Sequence, residues 1–107
     1  MEISATELKE RLDRGEEIVL LDIRNGYELN LANLDNDSIH IPQDQLMARV
    51  EELSPYAEQD VVVYCRTGNR SQGCVQFLKS KGFKKVFNLT GGLHAWSDDV
   101  DPAVMKY

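Results

Sequence analysis

The sequence of 107 residues is poor in cysteine, proline and aromatic residues and has no long apolar run. Its two cysteines, Cys65 and Cys74, are too few for a disulfide-stapled secreted domain, and they lack the paired spacing of a zinc site. No stretch approaches the roughly 18 apolar residues of a membrane span, and residues 1–4 lack the basic and apolar regions of a signal peptide. We therefore expect a cytoplasmic protein with free thiols, no bound metal and no contact with a membrane.

Basic residues are also scarce, since 12 lysines and arginines stand against 18 acidic residues, for a net charge of −6. This balance disfavours a nucleic-acid-binding protein, whose surface is normally basic. The charge is uneven, because residues 65–85 contain six basic residues and no acidic one. The four lysines of this segment suit a solvated helix and its C-terminal end. Arg66 and Arg70 instead lie on a glycine-containing loop next to Cys65, which points to a functional role for them.

Four apolar segments rich in β-branched residues alternate with segments of helical periodicity. The predicted strands are residues 18–23, 39–41, 61–64 and 86–89. One predicted helix begins after Ser4, and another has Ser71 as its N-cap. Further helices are predicted at 27–31, 43–53 and 93–96, and a turn is predicted at 35–37. Strands that are apolar throughout are typical of a sheet covered on both faces. A chain of this length forms one domain, and the pattern predicts an α/β fold with a mainly parallel sheet.

Cys65 directly follows the predicted strand 61–64 and precedes a predicted helix. Ligands of open parallel sheets bind beyond the carboxyl ends of the strands, which is where this thiol would lie. A thiolate is far more reactive than a thiol, and helix N-termini, inward-pointing amides and cationic neighbours favour the thiolate. Gly68 allows the loop to turn, and Arg66 and Arg70 supply positive charge. The sequence therefore predicts that Cys65 is a nucleophile.

The loop Cys65-Arg66-Thr67-Gly68-Asn69-Arg70-Ser71 resembles the Cys-x-x-Gly-x-Arg active-site loop of the rhodanese family of sulfurtransferases. Three further segments resemble family motifs in the family's order: Asp22-Ile23-Arg24 (Asp-x-Arg), Ile39-His40-Ile41-Pro42 (Ile-x-Ile-Pro) and Gly91-Gly92-Leu93-His94-Ala95-Trp96 (Gly-Gly-x-x-x-Trp). The resemblance implies a single rhodanese-like domain over residues 1–107, with a core at about 3–97 and a C-terminal tail at 98–107. The implied fold is a three-layer sandwich with helices on both faces of the sheet.

The resemblance also implies a reaction in which the Cys65 thiolate takes sulfane sulfur from thiosulfate or a persulfide donor. The resulting Cys65 persulfide passes its sulfur to a thiol or to cyanide, and no cofactor is needed. The implied site residues fall into two groups: Arg66, Thr67, Gly68, Asn69 and Arg70 bind the substrate, and Asp22, Arg24 and Ser71 support the loop. The implied partners are a small-molecule donor and acceptor, and a sulfur-acceptor protein is an open alternative.

Two other functions compete with this interpretation. Related cysteine phosphatases have one more residue in the loop than the four that separate Cys65 from Arg70, so the ring here is too tight for a phosphate. The second alternative is a protein-partnered carrier that delivers persulfide sulfur to a cofactor or tRNA-thiolation pathway. Residues 96–102 resemble the tail of rhodanese domains attached to adenylating enzymes, which keeps this alternative open.

Two further features are interpreted as structural. Cys74 lies in register with Leu78 on the predicted helix, so it is predicted to be a core residue rather than a second reactive thiol. Residues 32–38 depart from the Gly-His-Ile-Pro-Gly-Ala pattern of the family by an additional residue and the lack of histidine. That departure concerns a connecting loop and leaves the cysteine loop unaffected.

Overall fold

The computed structural model describes residues 1–30, 34 and 38–107, and in these ranges it contains a sheet of five strands. The strands are β1 (Glu2–Ile3), β2 (Ile18–Asp22), β3 (Ile39–His40), β4 (Asp60–Tyr64) and β5 (Val86–Leu89). Their order across the sheet is β1-β5-β4-β2-β3, and every neighbouring pair is parallel. The predicted α/β class with a parallel sheet is confirmed. The carboxyl ends of all five strands consequently meet at one edge.

The described ranges also contain four α-helices and three 3-10 helices, of which the last α-helix follows the final strand. The α-helices are α1 (Ala5–Asp13), α2 (Leu46–Arg49), α3 (Asn69–Ser80) and α4 (Gly92–Asp99), and the 3-10 helices are Gly26–Asn30, Gln43–Gln45 and Val50–Tyr56. Ser4 caps the helix predicted to follow it, because the amide of Glu7 donates to Ser4 Oγ at 3.1 Å. Among the described residues, no helix is long and apolar enough to cross a membrane.

The sheet separates two apolar clusters, because successive side chains of a strand point to opposite faces. In β4, Val61 and Val63 belong to the cluster that also contains residues of α2 and α3. Val62 lies between them in sequence and belongs to the opposite cluster, which contains residues of α1 and α4. The structure therefore confirms three layers with helices on both faces.

The helical segment before β4 differs from the prediction. A single helix was expected over residues 43–53, but the chain forms two 3-10 segments around the short α2. The backbone leaves the α conformation at the second junction, where Arg49 has a φ of −113° and a ψ of 10°. Strand β1 was not predicted, since two residues carry no periodicity. The predicted turn at 35–37 and most of the unusual segment 32–38 lie outside the described residues.

The C-terminal tail exposes Asp98, Asp99 and Asp101 but also packs apolar residues against the core. Helix α4 continues through Asp99, and the amide of Asp101 donates to the Trp96 carbonyl at 2.9 Å. Val100, Val104 and Tyr107 are half-buried and pack against the cluster on the α1 and α4 side of the sheet. Apolar burial of these three side chains explains why the tail folds back.

Candidate active site

The thiol of Cys65 lies directly after β4, at the edge where the strands end, and only 1% of the residue is exposed. The amide of Gly68 donates a hydrogen bond to its Sγ at 3.1 Å. The hydroxyl Oγ of Ser71 lies 3.5 Å from the same sulfur. The loop between β4 and α3 thus curls around one sulfur atom.

Gly68 makes this curl possible. It has a φ of 92° and immediately precedes α3, so the chain turns from loop to helix through a left-handed residue. A Cβ at this position would lie 3.0 Å from the backbone nitrogen of Gly91. The sequence-based expectation that Ser71 caps the helix is wrong, because α3 already begins at Asn69 and Gly68 occupies the cap position.

Helix α4 orients the first residues of the loop. The amides of Leu93 and His94 donate to the carbonyls of Cys65 and Arg66 at 3.0 Å and 3.1 Å. Gly92 permits this approach, since a Cβ there would lie 2.4 Å from the Cys65 carbonyl oxygen. Because the Cys65 and Arg66 carbonyl groups point toward α4, the amides of the loop residues that follow can point toward the sulfur.

The two cysteines have opposite tendencies to ionise. Burial acts to raise the pKa of Cys65, but the Ser71 hydroxyl and the backbone amides of Ser71, Gly68 and Thr67 outweigh it and hold that pKa below the ordinary cysteine value. Burial and the nearby Cys65 charge raise the pKa of Cys74 to about 11. Cys74 belongs to the core cluster around α3, where it was predicted to be. Of the two thiols, Cys65 is therefore the one that ionises more readily.

Ser71 is fully buried and joins the thiol to a second layer of polar groups. Its hydroxyl donates to Asn88 Oδ1, at the end of β5. The Asn88 amide in turn donates to the Gly68 carbonyl at 3.2 Å and to Glu2 Oε1 at 3.0 Å. Asn88 therefore supports the loop through the Gly68 carbonyl. Ser71 contacts the Cys65 sulfur directly, whereas the sequence predicted that it caps the helix and supports the loop.

The two loop arginines have different environments. The Arg70 guanidinium donates to both carboxylate oxygens of Glu28, at 3.0 Å and 2.9 Å. Burial acts to raise the pKa of Glu28, but hydrogen bonds from Arg70 and Tyr107 lower it to about 2. Of the two cations that the sequence places beside Cys65, Arg70 is therefore paired with a carboxylate. Arg66 is exposed, and within the described part of the chain it forms no salt bridge.

Asp22 and Arg24 form a fully buried pair at the end of β2. Arg24 Nη2 donates to Asp22 Oδ2 at 2.7 Å, and Arg24 Nε donates to Asp22 Oδ1 at 3.0 Å. The register pairs Asp22 with Tyr64, the residue before Cys65. Arg24 Nη1 also donates to the Tyr107 hydroxyl at 2.9 Å. The pair lies where the sequence predicted loop support.

Sequence reasoning missed Glu28 and Tyr107. Glu28 had one available signal, because a segment with six basic residues and no acid requires a counter-charge from elsewhere in the chain. Tyr107 had none, since 83 residues separate it from Arg24 and 79 separate it from Glu28. Both residues belong to the polar surroundings of the loop.

A cleft of about 540 Å³ opens in front of the loop. Its lining residues are Tyr27, Glu28, Arg66, Thr67, Asn69 and Arg70. Four of the five predicted substrate-binding residues therefore face one space, and the fifth, Gly68, contacts the sulfur through its amide. No group of three or more His, Cys, Asp or Glu side chains suited to a metal ion occurs among the described residues. The cleft offers positive charge from Arg66 and hydroxyl and amide groups from Thr67 and Asn69.

Comparison with known proteins agrees with this geometry. A sulfurtransferase from Allochromatium vinosum is 34% identical over 96 residues, which cover 90% of this chain and 87% of that protein. An adenylyltransferase and sulfurtransferase MOCS3 from Arabidopsis thaliana is 35% identical over 119 residues. The match covers 98% of this chain but 25% of that protein, so the chain spans about a quarter of this relative's length.

Solved structures and a family model lead to the same assignment. The crystal structure of a rhodanese-like domain protein from Staphylococcus aureus has a TM-score of 0.81 at 27% identity, covering 94% of this chain and 95% of that one. Residues 4–99 match the family model of the rhodanese-like domain. Because that match extends over most of the chain, including the cysteine loop, the chain belongs to the rhodanese-like domain family.

Proposed function

We propose that the protein is a sulfurtransferase that carries sulfane sulfur on Cys65. The observation that carries the proposal is the polar loop around one sulfur atom: the Gly68 amide donates to Sγ at 3.1 Å, and Ser71 Oγ lies 3.5 Å from the same sulfur. Donors directed at a sulfur favour its anionic forms, both the thiolate and the persulfide. The name of the Allochromatium vinosum relative, a sulfurtransferase, supports the same activity.

The reaction proceeds in two displacements at sulfur. The Cys65 thiolate attacks the outer sulfur of thiosulfate, a new S–S bond forms, and the old S–S bond breaks with its electron pair leaving on sulfite. Cyanide or a thiolate then attacks the terminal sulfur of the Cys65 persulfide, and the electron pair of that S–S bond returns to Cys65 Sγ. Each step exchanges one anion for another, so a Cys65 that is already ionised needs no general base. Its lowered pKa favours that state.

The residues around the cleft have separate roles in donor binding and in positioning the loop. Arg66 attracts the anionic donor, while Thr67 and Asn69 offer polar groups along the same cleft. Arg70 acts mainly through its paired hydrogen bonds to Glu28, which hold the start of α3 against the 3-10 helix Gly26–Asn30. This pairing also disfavours the phosphatase alternative, since Arg70 is occupied by a carboxylate instead of being available to a phosphate.

A second candidate is a sulfur carrier that delivers the persulfide to a protein partner, in a cofactor or tRNA-thiolation pathway. The observation that favours it is the match to a quarter of a protein named adenylyltransferase and sulfurtransferase. Both candidates use the same Cys65 persulfide and differ in the acceptor. Turnover of thiosulfate and cyanide to thiocyanate favours the first, whereas loading from a persulfide donor with transfer only to a protein acceptor favours the second.

Intact-protein mass spectrometry after incubation with thiosulfate tests the shared step. We expect a gain of one sulfur atom that maps to Cys65, that cyanide removes, and that is absent from Cys65→Ser. Cys74→Ala is the matched control, because it removes the other buried thiol and should load normally. No gain with either thiosulfate or a persulfide donor, or a gain on Cys74, would contradict the proposal.

A further inference from the structure

The C-terminal segment 100–107 returns to the active-site loop through Tyr107. The phenolic hydroxyl of Tyr107 accepts from Arg24 Nη1 at 2.9 Å and donates to Glu28 Oε1 at 2.8 Å. Glu28 is the residue that holds Arg70. The half-buried Val104 packs against the core on the way. Two hydrogen bonds of the hydroxyl, together with the packing of Val104 and Tyr107 against the core, therefore fix the position of the Tyr107 ring relative to the loop.

That ring lies beside the charged group of Arg66. The Arg66 Cζ lies 5.4 Å from the ring centroid, within the range of a cation–π contact. The Arg66 side chain also contacts His94, whose Nε2 lies 3.4 Å from Arg66 Nε. His94 Nε2 in turn lies 3.3 Å from the carbonyl oxygen of Tyr107. An exposed arginine has many rotamers, and these contacts select the ones that keep its charge at the cleft.

We propose that Tyr107 is a positioning residue for donor capture: its ring holds the Arg66 guanidinium at the mouth of the Cys65 cleft. The proposal rests on the proposed function in one respect, namely that the natural donor is an anion. Arg66 is the cation that carries the effect because Arg70 is paired with Glu28. The hydroxyl of Tyr107 anchors the tail, and the ring acts on Arg66.

Alkylation of Cys65 tests the electrostatic part without requiring sulfur transfer. The second-order rates with iodoacetate, an anion, and iodoacetamide, a neutral reagent of similar size, are measured in the Cys74→Ala background. Their ratio reports positive charge at the cleft, because the neutral reagent corrects for changes in thiolate fraction and access. We expect Arg66→Ala and Tyr107→Ala each to lower the ratio about two- to fivefold, the range of an exposed cation–π contact.

Two further variants separate the ring from the hydroxyl. Tyr107→Phe keeps the ring and its apolar packing but loses the hydrogen bonds to Arg24 and Glu28 that help to anchor it, so we expect a smaller decrease in the ratio than in Tyr107→Ala, together with a lower melting temperature. The double variant Arg66→Ala/Tyr107→Ala should show no further decrease beyond Arg66→Ala alone, because Tyr107 acts through Arg66. All rates are measured well below the melting temperature of the least stable variant.

Steady-state assays then connect the effect to the reaction. We expect Tyr107→Ala to raise the KM for thiosulfate about as much as Arg66→Ala does, with a smaller effect on kcat. The proposal is overturned if Tyr107→Ala leaves the alkylation ratio unchanged, if Arg66→Ala does so, or if Tyr107→Phe lowers the ratio as much as Tyr107→Ala. If the ratios behave as expected but thiosulfate does not load Cys65, the positioning role stands and the proposed donor is wrong.

Discussion

Replacing Ser71 with alanine is the sharpest test of how the structure stabilises the Cys65 thiolate. Ser71 is fully buried, and its Oγ lies 3.5 Å from Cys65 Sγ while donating to Asn88 Oδ1. The substitution removes one oxygen and leaves the backbone donors of Gly68 and Thr67 in place. It therefore isolates the side-chain contribution to the lowered pKa of Cys65.

The expected magnitude follows from hydrogen-bond energetics. A hydrogen bond to a charged group contributes about 1.5–3 kcal/mol, and one pKa unit corresponds to about 1.36 kcal/mol. The contact from Ser71 to Cys65 is long, and Asn88 competes for the hydroxyl, so the lower end of this range applies. We therefore expect the pKa of Cys65 to rise in Ser71→Ala, and the thiolate fraction to fall about tenfold at a pH below both pKa values.

The pH dependence of iodoacetamide alkylation measures this pKa directly, because only the thiolate reacts at an appreciable rate. The matched control is Ser80→Ala, which makes the same chemical change at the other, exposed end of α3, where the Ser80 hydroxyl donates to the Phe77 carbonyl. The control should leave the midpoint unchanged. A midpoint that stays the same or falls in Ser71→Ala would refute the conclusion that this hydroxyl stabilises the thiolate.

Stability provides a second readout with a defined sign. A thiol whose pKa is lower in the folded state than in the unfolded state stabilises the fold above the unfolded pKa, and that stabilisation is lost as the pH falls through the folded pKa. Weakening the shift in Ser71→Ala should therefore widen its stability deficit as the pH rises toward the ordinary cysteine range. At neutral pH a deficit of about 1–3 kcal/mol is expected, because Asn88 Oδ1 loses its donor.

Three other substitutions have definite expected outcomes. Cys74→Ala should keep thiocyanate formation and cost about 1 kcal/mol in urea unfolding, because it leaves a small cavity; loss of turnover would instead indicate a relay between two cysteines. Glu28→Gln should be less stable than the parent at pH 6 by up to about 3 kcal/mol. This difference in stability should disappear as the pH falls from about 4.5 toward 2, because folding lowers the pKa of Glu28 from the first value to the second. A difference that does not depend on pH would contradict the ion-pair argument. Gly92→Ala should destabilise the fold by about 1–3 kcal/mol and slow persulfide formation, because the added Cβ would collide with the Cys65 carbonyl oxygen. Gly73→Ala is the control, and it should show neither effect because there is open space around its Cβ.

Local sequence was sufficient to predict the cysteine-containing turn after β4 and most of the sheet. The run Val61–Tyr64 is β-branched and apolar, which predicts a buried strand wherever it lies in the chain, and Cys65 follows it directly. Gly68 marks the turn because few other residues adopt its φ of 92°. These features depend on residues close in sequence, so they could be predicted without the fold. The same cannot be said of β1, whose two residues form a strand only because β5 lies beside them.

Tertiary structure alone decided which charges remain free beside the thiol. Arg66 and Arg70 are equivalent in the sequence, yet Arg70 is neutralised by Glu28, 42 residues away, and Arg66 is placed against Tyr107, 41 positions further along the chain. Pairings of this kind arise where the strand ends and the C-terminal segment meet at one edge of the sheet. The residues that form them leave no periodic pattern in the sequence. The sequence determined which thiol can ionise, and the packing of distant segments determined the field around it, because charge interactions depend on distance in space rather than on separation along the chain.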